Sequence, residues 1–339
     1  MSQPKKRSSS PVFVAALNAA LRRPIAWMFG FAGVTGMALV ASLPVYRWFA
    51  DTTANHYAPG DQLHHLDRNF RTDHAEGLAQ LLRTVGTSAD WMMVLAVLLG
   101  IFSAGGWLRT LVDPRTHAAR RLFFAGGARY YWRFARLAVL VILVLGVLGT
   151  LLRHPDSLSW QNEVLAGWPQ GRTERATSEL SVVWMDWIRN GVHLLLFSLV
   201  TVWATYTRTR IVLQNSGSVV VSGFSSLWLL LRHPIATLRP FLILTMLELV
   251  LLQAGGGIGR LVQGGLESGG MWRVTLLFAI GGVLIVAREI FDGARYAASV
   301  AVSRSFVRPI AIDPWSDRIG GPGGPQYPVG PDDDYSIAV

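Results

Sequence analysis

The chain contains no cysteine. That excludes disulfides, thiolate catalysis, cysteine-ligated zinc and cysteine-held iron–sulfur clusters, and it leaves the redox compartment open. Charge is scarce as well: 15% of the 339 residues are charged, where a soluble domain carries nearer about a quarter. Lysine occurs only at Lys5 and Lys6, so almost all the positive charge is arginine. The apolar runs hold no serine–histidine set, no paired aspartates and no H-E-x-x-H. What remains in abundance is apolar sequence, 51% of residues, with a mean hydropathy of +0.35.

That apolar sequence is gathered into six runs: Ile25 to Val45, Trp91 to Leu111, Phe134 to Leu152, Ile188 to Tyr206, Phe241 to Val262 and Val274 to Ile290. About 20 apolar residues in a helix match the hydrocarbon thickness of a bilayer, where only a helix or a closed barrel satisfies its own backbone. The expected fold is therefore all-α, a polytopic membrane protein of six transmembrane helices with amphipathic helices at the interfaces. Length alone would suggest two soluble domains, but the runs are spread along the chain and favour one membrane domain over 11–305. A basic N-terminus, 1–10, and a Gly/Pro/Asp tail, 306–339, are expected to be disordered. The first run is too long and too far from the N-terminus for a signal peptide, and it reads as an uncleaved span.

The net charge of +10 would ordinarily suggest nucleic acid. Here the arginines border apolar runs, so anionic lipid headgroups are the expected partner and nucleic acid is not. Arg22 and Arg23 precede the first run with no acid nearby. Arg115, Arg120, Arg121, Arg129, Arg133 and Arg136 crowd the second connection, and Arg208, Arg210, Arg232 and Arg239 the fourth. The alternate loops mix arginine with acids such as Asp61, Asp67, Asp73, Glu76, Glu163 and Glu179. By the positive-inside rule both termini are expected to be cytoplasmic.

Two amphipathic stripes flank the spans on the basic side. Phe13, Leu17 and Leu21 form one; Val220, Phe224, Leu227, Trp228 and Leu231 form the other. Each ends alike, Arg22-Arg23-Pro24-Ile25-Ala26 against Arg232-His233-Pro234-Ile235-Ala236, a weak repeat that chance or shared joint chemistry would equally produce. Gly127-Ala128-Arg129-Tyr130 is echoed by Gly293-Ala294-Arg295-Tyr296, read as interfacial anchors. On the opposite side a helix from Asp61 is expected, then a second, opened by an Asp73–Glu76 capping box and carrying Leu78, Leu81, Leu82 and Val85. The loop with Trp160, Trp168, Trp184 and Trp187 reads as another interfacial cap.

Glu248 is the sharpest candidate for a binding role. It lies well inside the fifth run, where a carboxylate is costly and either glues helices together or marks a substrate or proton path. His193, in the fourth run, is the expected partner by depth. Arg120, Arg121, Arg129 and Arg133 alternate with Phe123, Phe124, Tyr130 and Trp132, the pattern of an in-plane element that binds lipid headgroups. His56, His64, His65 and His74 stand among carboxylates without the fixed spacing of a metal site, so a solvated face is expected and no metal. Glycines from Gly255 to Gly270 suggest close helix contact or a hinge, and Gly30, Gly33 and Gly36 a packing face. No cofactor and no catalytic residue is expected.

Gly105-Gly106-Trp107-Leu108-Arg109, Gly127 to Leu137, Tyr206 to Leu213 and Leu231-Arg232-His233-Pro234 together resemble uncharacterised bacterial six-span membrane proteins. The layout is also similar to the membrane domain attached to some glycerophosphodiester phosphodiesterases, whose catalytic barrel has no counterpart here. The resemblance spans most of 11–305 and implies a polytopic inner-membrane protein without assigned chemistry. The expected function is non-enzymatic: an accessory subunit of a membrane complex, or an organiser of the bilayer surface. The alternative is a transporter or lipid-handling protein that uses Glu248.

Overall fold

The computed structural model describes residues 12–53, 72, 74–113, 119–166, 178–264 and 271–306. Among them there is no strand. In chain order the helices are α1 (Val12–Leu21), α2 (Pro24–Thr53), α3 (Ala75–Val112), α4 (Ala119–Arg153), α5 (Pro155–Ala166), α6 (Glu179–Leu213), α7 (Val219–Arg232), α8 (Pro234–Gly264) and α9 (Met271–Phe306). Six of these, α2, α3, α4, α6, α8 and α9, are long and apolar enough to cross a membrane. The chain is an all-α multi-pass membrane protein.

Both basic-proline joints are built as the sequence suggests. Pro24 and Pro234 are the first residues of α2 and α8, where a missing N–H costs nothing and the fixed φ suits a helix start. Arg23 holds its joint by donating to the carbonyls of Thr110 (3.0 Å) and Ala19 (2.6 Å). At the other joint His233 stacks on Phe306 with ring centroids 4.5 Å apart. The short helices dock differently, α1 chiefly on α9 and α7 on α6.

The long helices run past the apolar runs that announced them. At about 1.5 Å per residue, 35 residues rise ~52 Å against ~30 Å of hydrocarbon. The expected second outer helix is therefore not separate: Leu78, Leu81, Leu82 and Val85 belong to α3, which opens at N-cap His74 without a side-chain cap. Thr84, Thr87 and Ser88 donate to carbonyls four residues back, so the hydroxyls of this stretch find acceptors within the helix. Likewise Trp184 and Trp187 lie in α6, whose N-cap is Ser178, while Trp160 lies in α5. Residues 119–136 are the first half of α4 rather than an independent in-plane element. The glycines Gly255 to Gly257 stay helical within α8. Of the expected tail 306–339, Phe306 instead closes α9; the remainder of that tail, the N-terminus 1–10, the helix from Asp61, the Asp73 cap, His56, His64, His65, Trp168 and Gly265 to Gly270 lie outside the described residues.

The core is gathered at one end of the bundle. It draws on Ala16 and Ala20 of α1, Ala26 at the start of α2, and Ile101 to Leu111 at the end of α3. Phe123, Tyr130, Phe134 and Leu137 of α4, Ile211 of α6, Leu244 of α8 and Phe291 to Val300 of α9 complete it. Helices that contribute alternately their first and last turns to one core alternate in direction, as consecutive spans must. This is the end bordered by Arg22, Arg120, Arg232 and Arg304. Along the other halves large apolar side chains are exposed, among them Leu39, Met93, Ile142, Leu194, Val250 and Phe278. In an apolar solvent such exposure carries no penalty, and acyl chains cover it.

The tightest crossing joins α3 to α4. A Cβ on Gly105 would lie 2.8 Å from the Gly126 carbonyl oxygen, and one on Gly126 2.7 Å from that of Gly105. Phe123 fills the space above Gly106, Phe102 that above Gly127, and Trp107 reaches across to Gly293 of α9. Sequence alone gave these glycines no packing role; here they set the distance between backbones. Gly30 is a packing glycine as expected, but its neighbour is a carboxylate, Glu289.

Candidate functional site: a compensated charge cluster

Arg288, Glu289, Asp292 and Arg295 succeed one another at spacings of one, three and three on α9. A helix repeats every 3.6 residues, so Arg288, Asp292 and Arg295 fall on one face. That face meets α8, where Glu248 is 9% exposed. Arg295 donates to Glu248 and, through its other nitrogen, to Asp292. From α6, Arg208 donates to the Tyr296 hydroxyl at 3.2 Å and lies close enough to Asp292, as does Arg288, to interact with it electrostatically. Glu289 packs over Gly30 of α2. Four helices thus converge on three arginines and three carboxylates, whose formal charges cancel.

Cancellation is what makes the cluster tolerable. An isolated charge out of water costs several kcal/mol, and pairing with added hydrogen bonds offsets most of it. The surroundings are closed by hydroxyls that serve themselves. Thr205, Thr207 and Thr209 bond to carbonyls four residues back, Thr209 meets Ser299 at 2.6 Å, and the Tyr206 hydroxyl donates to the Thr237 carbonyl at 3.0 Å. One donor is left over: the Arg208 Nε is buried without a partner.

The cluster corrects two expectations. Glu248 does sit deep between helices, but its partner is Arg295; no hydrogen bond or ion pair joins it to His193. Fifteen residues separate His193 from Arg208 on α6, about 22 Å of helical rise, so His193 lies at a different level. Arg295 and Tyr296, in turn, are not headgroup anchors: both side chains turn into the bundle. Glu289 and Asp292 were not singled out in the sequence: Glu289 is the penultimate residue of the sixth apolar run and Asp292 lies just beyond its end. The charge spacing on a continued helix was the signal that would have found them.

The four arginines expected to bind lipid divide. Arg133 donates to the Asn215 carbonyl (3.2 Å), the Asn215 Oδ1 (2.9 Å) and the Ser216 carbonyl (3.2 Å). It thereby secures the end of α6, where Asn215 takes a φ of 47° and the Ser216 N–H returns to the Ile211 carbonyl at 3.1 Å, a Schellman arrangement. Arg129 and Arg133 both lie over the Tyr130 ring, at 5.6 and 5.8 Å from its centroid. Arg120 and Arg121 are exposed. The aromatic residues between them divide too: Phe123 and Tyr130 are buried in the core, Phe124 and Trp132 exposed. Among the described residues no three His, Asp or Glu side chains are grouped to hold a metal. Compared with protein-family models, with curated proteins and with solved structures, the chain matches none.

Proposed function

We propose that this is a non-enzymatic protein of the bacterial inner membrane, an accessory subunit or an organiser of the bilayer surface, with its arginine-rich end facing the cytoplasm and anionic headgroups. The observation that carries it is the closure of Glu248 by Arg295. Glu248, buried between α8 and α9, is spent on holding helices together, and Arg120 and Arg121 stay exposed at the periphery. Each arginine beside an anionic surface contributes about 1 kcal/mol. Arg120→Ala/Arg121→Ala should therefore weaken association with vesicles rich in phosphatidylglycerol, read as co-flotation of detergent-depleted protein, while leaving neutral vesicles unaffected. Equal behaviour on both lipids would remove the headgroup reading.

The orientation has its own test. Reporter fusions after Arg129, Arg210 and Arg308 should report cytoplasm, and those after Asp67 and Arg172 the outside; one reversal breaks the alternation. A transporter or lipid-handling role for Glu248 is the second reading. It is supported by Asp292, whose side chain is 43% exposed beside the buried pair and so leaves the cluster approachable from one side.

A further inference from the structure

A groove of about 830 Å³ opens at the arginine-rich end, between the start of α1, the α7–α8 joint and the last turns of α9. Its walls are apolar, with Phe13, Ile243 and Val302 among them, and its polar lining is Arg232, His233, Arg239 and the hydroxyl of Ser305. No lining residue is acidic, and among the described residues neither Arg232 nor Arg239 is in an ion pair. The volume falls within the ~300–1,000 Å³ of small-molecule sites.

The neighbouring surface tells what the groove faces. α7 presents Val220, Phe224, Leu227, Trp228 and Leu231 to the outside, all between 41% and 71% exposed. Ile235, on the rim itself, is 77% exposed. In a multi-pass protein such a helix face is covered by acyl chains, so the groove opens at the depth where chains give way to headgroups. A ligand there needs an apolar body and a negative head.

We infer that this groove is a binding site for an acidic phospholipid of the surrounding bilayer. Arg232 and Arg239 take the phosphate, and Phe13, Ile243 and Val302 the upper part of an acyl chain. The inference rests on the headgroup-facing reading of this end but replaces a diffuse surface with one occupied site. A zwitterionic lipid fits less well, because its second charge would meet arginine without a carboxylate to answer it.

The test uses full-length protein in nanodiscs of phosphatidylglycerol and phosphatidylcholine, released into mild detergent, with retained phospholipid counted by native mass spectrometry. Wild type should retain phosphatidylglycerol selectively. Arg232→Ala/Arg239→Ala should lower that retention roughly 25-fold, about fivefold per arginine. Ala301→Trp, which fills the groove without touching a charge, should lower it as well, and its melting temperature reports whether the bundle is intact. Arg120→Ala/Arg121→Ala, which loosens only the diffuse surface contact that detergent strips away, should lower retention less than about twofold, far short of the groove variant. Loss of retention in the Arg120/Arg121 variant alone would overturn the groove and spare the surface reading; no selectivity in any protein would overturn both. The chain's own Asp332, Asp333 and Asp334 are a rival anion. Should wild type retain no phosphatidylglycerol while Asp332→Asn/Asp333→Asn/Asp334→Asn retains it, the tail fills the groove in the native chain and the phospholipid is not its occupant.

Discussion

Glu248→Leu should destabilise the bundle by about 3 kcal/mol, the range for stranding one member of a buried pair. Arg295 would keep Asp292 but lose the acceptor on α8, so the bond between the two helices goes and a charge is left over. Glu248→Leu/Arg295→Leu should recover a large part of that loss, because replacing both charges by apolar groups removes the need for compensation. Interhelical hydrogen bonds in membranes are individually modest, ~0.6 kcal/mol on average, so the coupling between the two positions is the informative quantity. Steric-trap unfolding of the two single variants and the double one would measure it. Additive losses, with coupling under about 0.5 kcal/mol, would mean that the pair does not hold α8 to α9. Glu248→Gln keeps the size and an acceptor and should cost about 1 kcal/mol. A stable, abundant Glu248→Gln protein that fails to complement a deletion strain would instead favour the transport reading.

Gly126→Ala should cost about as much for a smaller chemical change, on the order of 3 kcal/mol. The added methyl would meet the Gly105 carbonyl oxygen at 2.7 Å and the Arg109 Cβ besides, and backbone on both sides leaves neither helix free to yield. α3 and α4 would have to separate, and Phe102, Phe123 and Trp107 would lose their seats with them. Gly146 lies on the same helix with nothing within 4 Å of its Cβ direction. Gly146→Ala should be neutral or stabilising by up to about 1 kcal/mol, since alanine restricts the unfolded chain. Thermal melts of the two variants in one detergent make the comparison; similar melting temperatures would show that the crossing tolerates a wider spacing.

The six spans were legible because hydrocarbon imposes a length and a composition, and both are local properties of the chain. The joints at Pro24 and Pro234 were legible for a similar reason: proline acts on its own neighbours. Helix ends were not. Nothing in Thr84-Val85-Gly86-Thr87-Ser88 marks the polar stretch as helical except bonds that form once the helix exists, so α3 looked like two elements. Partners were harder still. Depth along a run placed Glu248 near His193, but the ion pair depends on which faces of α8 and α9 meet, and that is decided by packing over the whole bundle. Arg133 shows the same limit: its alternation with aromatics suits a lipid surface, while its three acceptors come from a turn 82 and 83 residues further along.

The last long helix, α9, packs on α1, α2, α3, α6 and α8 and supplies Phe291, Ala294, Ala297, Ala298 and Val300 to the core. It is also made after the other five spans. Spans are inserted one after another as the chain leaves the ribosome, each stable alone because its backbone is self-satisfied. The buried end is different, since Trp107 rests against Gly293 and the Gly30 backbone against Glu289. During synthesis, then, five spans wait in the bilayer with Glu248 lacking its counter-ion and Thr209 its partner on α9. Assembly of the five earlier spans is thereby made conditional on α9, and a chain interrupted before it leaves Glu248 unpaired among the helices.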